Sequence, residues 1–224
     1  MSEGYVNLAK YVQGEFVHSV NFFNYLLGVH VDRIETLDDA IAKTKLQIKI
    51  AHEEFIENIS SIGFSIEGEL DGAIDQLYTY PYLTALITML ADKFDGYVDV
   101  LSVQPEIRAL AVMEACIGVI HPLQEAFIPE DIFIEGCSRV VKNNMSKFTT
   151  SKDEAETWIL PEGCRLTSQE YQGQTYWYIV NQDGKVKKRV GFENVDLSDL
   201  VEKIGEATNI TIEITEGEDD ELSS

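Results

Sequence analysis

The segment HEEFIE, residues 52–57, places three carboxylates within about one and a half turns of a predicted helix. Side chains three or four residues apart share a helix face, so Glu57 can meet Glu53 or Glu54 at one point. Carboxylates that converge can bind a hard divalent cation or act as general acids and bases. A solvated acidic face is the alternative, because Glu54 and Glu57 lie away from the apolar row that contains Phe55.

A second acidic pair, Asp71 and Asp75, is spaced by four residues and flanks the apolar row around Ile74. An unpaired charge beside a buried face costs on the order of several kcal/mol, so such acids are usually paired or bound to a cation. No lysine or arginine occurs between Lys49 and Lys93. We therefore expect a metal ion to neutralise these carboxylates.

Carboxylate oxygens favour Mg²⁺, with Mn²⁺ as the alternative, since Mg²⁺ keeps several waters and commonly bridges to substrate phosphates. Zinc fits poorly, because the four histidines form no ligand-like cluster. Cys116, Cys137 and Cys164 are an odd number at wide spacing, which favours reduced packing residues over disulfides or a zinc site.

The net charge of −22, from 39 acidic and 17 basic residues, argues against a nucleic-acid partner. A polyanionic substrate would need a metal ion and local basic groups to overcome this repulsion. Four of the 17 bases cluster near the end of one predicted helix, at Arg139, Lys142, Lys147 and Lys152. They indicate an anion site, or alternatively a basic helix end that complements the helix dipole.

Apolar residues at steps of three and four predict helices that would position these groups. Thr36 is a plausible N-cap for the second helix, Gly63 interrupts it, and Pro81 either kinks or divides the third. The predicted ranges are 5–27, 36–62, 66–90, 106–120 and 131–147. Five helices with short links imply a bundle, so the fold class is mainly α.

The pattern changes after about residue 151, where TYWYIV and KVKKRVGF flank the turn at residues 181–184 and predict a β-hairpin. A short helix at 197–207 and a strand at 210–214 follow. We divide the chain into a helical domain at 1–150, a β-containing extension at 151–215 and an acidic disordered tail at 216–224. No apolar run is long enough to cross a bilayer and no secretory signal is evident, so we expect a cytoplasmic protein without a membrane partner.

The pattern EExxE followed by LDGAIDQLY resembles the MazG-like and phosphoribosyl-ATP pyrophosphohydrolase-like family of all-α nucleotide pyrophosphohydrolases. Glu53, Glu54 and Glu57 match the first family motif, and Asp75 matches the aspartate of the second, ExxD. Gly72 stands where the second motif has glutamate.

The resemblance implies that Glu54, Glu57 and Asp75 bind the metal and that Asp71 replaces the missing glutamate, with Glu67 or Glu69 as alternatives. It also implies that Glu53 positions or deprotonates the attacking water.

The segment VKNNMSKF, residues 141–148, resembles the asparagine and lysine segment that faces the phosphates in relatives, especially those of phage type. Asn144 and Lys147 would bind the phosphates. Tyr78, or Tyr82, would stack on the base, unless both are ordinary core aromatics. The segment YWYIVNQDGKVKKRVGF is similar to the C-terminal extension of phage-type members.

The family cuts nucleoside triphosphates between the α- and β-phosphates, so the resemblance implies a Mg²⁺-dependent (d)NTP pyrophosphohydrolase. It also implies a homodimer or homotetramer, located in the host cytoplasm if the chain is phage-encoded. A nucleotide-binding or interaction protein that has lost turnover, and a phosphoribosyl-ATP pyrophosphohydrolase, remain the alternatives.

Overall fold

The computed structural model describes Gly14 and residues 16–207, without the side chains of 118, 119 and 121–126. This part of the chain is mainly helical and ends in a small antiparallel sheet followed by one more helix, which confirms the predicted fold class. The helices are α1 (Val17–Leu26), α2 (Leu37–Ser61), α3 (Ile66–Lys93), α4 (Tyr97–Ser102), α5 (Ile107–Phe127), α6 (Glu130–Met145), α7 (Lys152–Glu156) and α8 (Ser198–Ala207). The strands are β1 (Arg165–Tyr171), β2 (Gln174–Val180) and β3 (Val186–Lys187). No helix in the described ranges is long and apolar enough to cross a membrane.

Local signals set both ends of α2. The Thr36 hydroxyl accepts a hydrogen bond from the Asp39 amide at 3.2 Å, which caps the first turn as predicted. The helix ends at Ser61, two residues before Gly63, whose φ of +77° lies in the left-handed region that glycine adopts without strain.

The helix α3 is one continuous element, so a division at Pro81 is wrong. A proline inside a helix costs about 3 kcal/mol through its missing donor and its steric clash. Leu83, Leu86 and Leu90, which follow the proline, are fully buried, and we infer that their packing outweighs this loss. The helix α5 likewise continues past His121 and Pro122, where the sequence predicted a break, and ends at Phe127.

The helices α2 and α3 form an antiparallel pair. Near their connecting turn, a Cβ atom placed on Gly72 would lie 2.7 Å from the Cα atom of Asn58. At the other end, Thr44 of α2 hydrogen-bonds the hydroxyl of Tyr97, just beyond α3, at 2.7 Å. The two backbones therefore approach so closely at Gly72 that any larger residue would push them apart.

The sheet has the order β1-β2-β3, with all neighbours antiparallel. The predicted hairpin is present as β2 and β3, although β3 contains only two residues and the remainder of KVKKRVGF is not strand. The strand β1 was not predicted. The predicted strand at 210–214 and the tail at 216–224 lie outside the described residues.

The sheet packs against α1 and does not stand apart from the bundle. The Tyr178 hydroxyl donates to the Leu26 carbonyl at 2.7 Å, and the ring of Phe22 contacts Tyr176 edge to face with centroids 4.9 Å apart. Phe22, Leu26, Phe148, Tyr178 and Val180 form one apolar cluster. This contact fixes the β2–β3 turn relative to the helices.

Candidate active site

A pocket of about 500 Å³ opens between α1, α2, α3, α6 and the β2–β3 turn. Its charged and amide lining contains five acids, four lysines and four amides: Glu54, Glu67, Asp71, Asp75, Asp183, Lys43, Lys147, Lys185, Lys188, Gln47, Asn143, Asn144 and Asn194. Several predicted site residues therefore meet in one cavity, together with lysines that the sequence analysis did not select.

Glu54 of α2 and Asp71 and Asp75 of α3 form the acidic wall of this pocket. Burial raises the pKa of Asp75 to about 7, and repulsion from Asp71 and Glu54 adds to the shift more than Lys147 offsets it. Burial followed by repulsion from Glu57 raises the pKa of Glu54, and burial also raises the pKa of Asp71. The acidic wall thus carries more negative charge than its surroundings compensate.

The acidic wall offers the ligands that a hard divalent cation prefers, because all its donor atoms are carboxylate oxygens and their charge is poorly compensated. The carboxylates are close enough to raise one another's pKa but do not yet converge. Across the described residues, no three histidine, cysteine, aspartate or glutamate side chains form a ready-made metal site. Binding of an ion would require these side chains to move together.

Glu53 and Glu57 lie outside the pocket lining. Glu57 is exposed, yet its charge contributes to the raised pKa of both Glu54 and Asp75. Glu53 forms an ion pair with Lys185 at 3.1 Å and lies 3.9 Å from Lys49. It is therefore held at the edge of the acidic wall by a lysine of the β2–β3 turn.

Lys147 faces the acidic wall from the end of α6. Its ammonium donates to the side-chain oxygen of Asn144, so the two residues lie together as their spacing predicted. Burial and the nearby charge of Lys188 lower the pKa of Lys147 to about 8, against the opposing effect of Asp75. This ammonium is the best placed of the predicted basic cluster to receive an anion.

The other three bases of that cluster have different partners and do not line the pocket. Arg139 forms an ion pair with Glu135 of its own helix and another with Asp199 of α8, and the second pair ties α8 to α6. Lys152 pairs with Glu156 at 3.3 Å, and Lys142 is exposed. Only Lys147 among the four supports the anion-site interpretation.

Lys185 of the β2–β3 turn and Lys188, just after β3, are the principal site residues that the sequence analysis missed. Lys188 lowers the pKa of Lys147 and stabilises the charge of Asp71, and it donates to the side chain of Asn194 at 2.6 Å. The acidic helices lack a local basic partner between Lys49 and Lys93, as the sequence shows, but tertiary packing brings Lys185 and Lys188 to them. The basic run KVKKR after a predicted turn was the available signal.

Tyr78 contributes to the pocket wall but is a buried residue. Its ring packs edge to face on Phe16 and Phe23, with centroids 5.4 and 5.9 Å away. Tyr82 is buried, lies outside the lining and donates to the Val29 carbonyl at 3.1 Å. Both rings have core contacts, and Phe23 is a further aromatic side chain that lines the pocket.

Gly72, which stands where the ExxD pattern that the sequence resembles has glutamate, lies at the close approach of α2 and α3. A Cβ atom there would meet the backbone and side chain of Asn58, so this helix pair leaves no room for glutamate at position 72. Asp71, one residue earlier, lines the pocket with Asp75.

Comparison with known proteins gives no match to a protein family, to a curated protein or to a solved structure. The function must therefore be inferred from the pocket itself.

Proposed function

We propose that this pocket hydrolyses a nucleoside triphosphate, either a ribo- or a deoxyribonucleotide, to the monophosphate and pyrophosphate with the help of Mg²⁺ or Mn²⁺. The observation that carries the proposal is the opposition of the acidic wall to Lys147, Lys185 and Lys188 within one cavity. Its volume of about 500 Å³ falls in the range of small-molecule sites. A metal–triphosphate substrate carries the two kinds of charge that such opposed walls would bind.

The acidic wall is proposed to hold the cation through Glu54, Asp71 and Asp75, with Glu57 turning in from the rim. When bound, a divalent cation there would supply Lewis acidity and lower the pKa of a bound water. Glu53 is the proposed residue that orients or accepts a proton from the attacking water. For that role Glu53 must exchange its contact with Lys185, so substrate phosphates would have to draw Lys185 away.

The opposite wall is proposed to bind the phosphates. Ammonium groups of Lys147, Lys185 and Lys188 supply point charges where negative charge develops, and Asn144 orients Lys147 through its hydrogen bond. The apolar part of the lining, which includes Phe23 and Leu27, is suited to the sugar and base.

A nucleotide-binding protein without turnover is the second candidate. Two observations favour it: glycine occupies position 72, and the Lys185 ammonium already pairs with Glu53. Hydrolysis of phosphoribosyl-ATP is the third candidate and is less favoured, because enzymes of that kind are usually compact and this pocket is completed by the C-terminal hairpin.

A homodimer or homotetramer in the cytoplasm, or in a host cytoplasm if the chain is phage-encoded, is part of the same proposal. Val98, Val103 and Val112 are exposed on and around α4 and α5, at 58, 77 and 54% of their surface. Such apolar exposure would suit contact with a second copy of the chain.

A panel of ribo- and deoxyribonucleoside triphosphates, incubated with Mg²⁺, Mn²⁺ or a chelator and separated by chromatography, tests the function. Monophosphate and pyrophosphate should accumulate with metal and be absent with chelator. Release of a diphosphate and orthophosphate would contradict the assigned cleavage position. Tight nucleotide binding without any product would favour the second candidate.

A further inference from the structure

Gln47 of α2 lines the pocket and is only 5% exposed. It is one of five buried polar residues in the described part of the chain. All four others have a partner within the protein: Asn24 donates to the Val20 carbonyl at 2.8 Å, Thr44 bonds Tyr97, and Asn58 donates to the Gln76 side-chain oxygen, although the Gln76 Nε2 has no partner. The Gln47 amide makes no hydrogen bond with any described residue.

The Gln47 side chain is enclosed except where it borders the pocket, and the described protein supplies no partner for its amide, so the amide must bond to what fills the pocket, whether water or ligand. Gln47 faces an open cavity, and a ligand in that cavity can therefore supply the missing partner. The neighbouring pocket-lining side chains on the same helix, Leu46 and Ile50, are apolar and offer no hydrogen bond.

Gln47 lies seven residues before Glu54, on the same helix face and about 10 Å along the axis. The antiparallel α3 places Tyr82, seven residues after Asp75, at this same end of the pocket, where the Tyr82 hydroxyl bonds the carbonyl of Val29. Val29 also lines the pocket. Thr79, between Asp75 and Tyr82 on α3, also lines the pocket, but its hydroxyl already donates to the Asp75 carbonyl at 3.0 Å. The side chains left to hydrogen-bond a ligand at the end away from the acidic wall are therefore Gln47 and Lys43, among apolar neighbours such as Val29, Leu46 and Ile50.

An apolar slot with one amide suits a planar ring whose edge carries a donor beside an acceptor. A carboxamide presents the same two functions side by side and pairs with a nucleobase edge in a bidentate manner. A phosphate would instead select the lysines near the acidic wall. The separation of about 10 Å from the carboxylates accommodates a sugar and the first phosphate between base and metal.

We propose that Gln47 recognises the nucleobase edge of the substrate and thereby sets base preference. This inference rests on the proposed function and identifies the base-binding end of the same pocket. Loss of one well-placed amide contact of this type changes discrimination by about ten- to a hundredfold.

Steady-state kinetics on the triphosphate panel would compare wild type with Gln47→Met, which keeps the side-chain length but removes both hydrogen-bonding functions. Gln174→Met, an exposed glutamine outside the pocket lining, is the matched control. We expect kcat/KM for the preferred base to fall about ten- to a hundredfold in Gln47→Met, while that for the least preferred base changes by less than about threefold. Gln174→Met should retain the wild-type order of preference.

A uniform loss across all bases, or an unchanged order, would overturn the role of Gln47 and leave the hydrolase proposal intact. A change confined to the ratio of ribo- to deoxyribonucleotides would place Gln47 at the sugar and also overturn its role in base recognition.

If no hydrolysis is seen, a nitrogen-15 amide spectrum still tests base recognition separately from the hydrolase proposal. Nucleoside monophosphates should shift the Gln47 signal, which Gln47→Met identifies, and ribose 5-phosphate should not. Absence of a shift would overturn base recognition.

Discussion

Asp75 combines two properties within one carboxylate: it lies in the most desolvated part of the acidic wall, and it faces both acids and a lysine. We expect Asp75→Asn to lower the rate of pyrophosphate release at least about a hundredfold, because a metal ligand is lost while the shape is kept. Glu57→Gln should have a smaller effect, since Glu57 is exposed and outside the lining.

Steady-state rates with saturating Mg²⁺ measure these effects, and Asp99→Asn on the exposed surface of α4 is the control. Thermal denaturation should give Asp75→Asn an unchanged or higher melting temperature without metal, because a repelled charge is removed. Near-normal turnover in Asp75→Asn would exclude this residue from the metal site.

The same residue predicts how the stability of the metal-free protein depends on pH. The pKa of Asp75 is raised from 3.8 to about 7 by burial and by Asp71, Glu54 and Glu57, with Lys147 opposing. The folded state therefore binds this proton more tightly than the unfolded chain, and the associated stability is lost as pH rises towards 7.

Chemical denaturation in chelator at pH 5.5 and 7.5 should show this loss. Through this carboxyl group, the wild-type protein should lose about 2 kcal/mol of unfolding free energy between pH 5.5 and pH 7.5. Asp75→Asn has no such group and should lack this loss. Identical pH profiles for the two proteins would mean that the Asp75 carboxylate is not desolvated.

The contact between α2 and α3 sets the relative position of the two carboxylate-bearing helices, and Gly72 permits it. Gly72→Ala should destabilise the protein by about 1–2 kcal/mol, because the overlap with Asn58 outweighs the gain in helix propensity. Gly205→Ala in α8 is the matched control, since no atom lies within 4 Å of the added methyl and it should be neutral or stabilising. Equal effects of the two substitutions in urea denaturation would refute the close approach.

The β2–β3 hairpin brings Lys185, in its turn, and Lys188, just after β3, to the pocket, so the extension belongs to the site. We expect Lys185→Ala combined with Lys188→Ala to raise KM for a triphosphate about tenfold, because two phosphate-binding charges are lost. Mg²⁺ affinity should be unchanged or higher, since the carboxylates lose competing cations. Lys187→Ala, in β3 between these two lysines but outside the lining, controls for the hairpin itself. A parallel loss of metal and substrate binding would indicate a collapsed pocket instead.

Sequence patterns predicted the elements whose causes are local. The boundaries of α2 follow from Thr36 and Gly63, and the apolar spacing placed most of the other long helices close to their observed bounds. Strand β1 escaped prediction because RLTSQEY is largely polar and lacks an alternating apolar face. The continuity of α3 through Pro81 also depends on burial that a local pattern does not contain.

At the scale of the whole molecule, the sequence predicted the acidic half of the site, but it predicted only part of the basic half. Glu54, Asp71 and Asp75 lie on two successive helices, where residue spacing determines which side chains share a face. Lys185 meets Glu53 across 132 residues of sequence, through packing of the sheet on α1. Contacts of such separation depend on tertiary structure that spacing rules do not encode.

The position of a bound metal is the most direct test of metal-dependent hydrolysis in this pocket. Crystals of the wild-type protein grown with Mn²⁺ and a triphosphate analogue carrying nitrogen between the α- and β-phosphates would locate the ion by anomalous scattering. We predict a peak at about 2–2.5 Å from carboxylate oxygens of Glu54 and Asp75, with Lys147 on the phosphates and Lys185 released from Glu53. Analogue bound in the pocket with no metal on the acidic wall, or Mn²⁺ bound only elsewhere, would contradict a metal-dependent pyrophosphohydrolase.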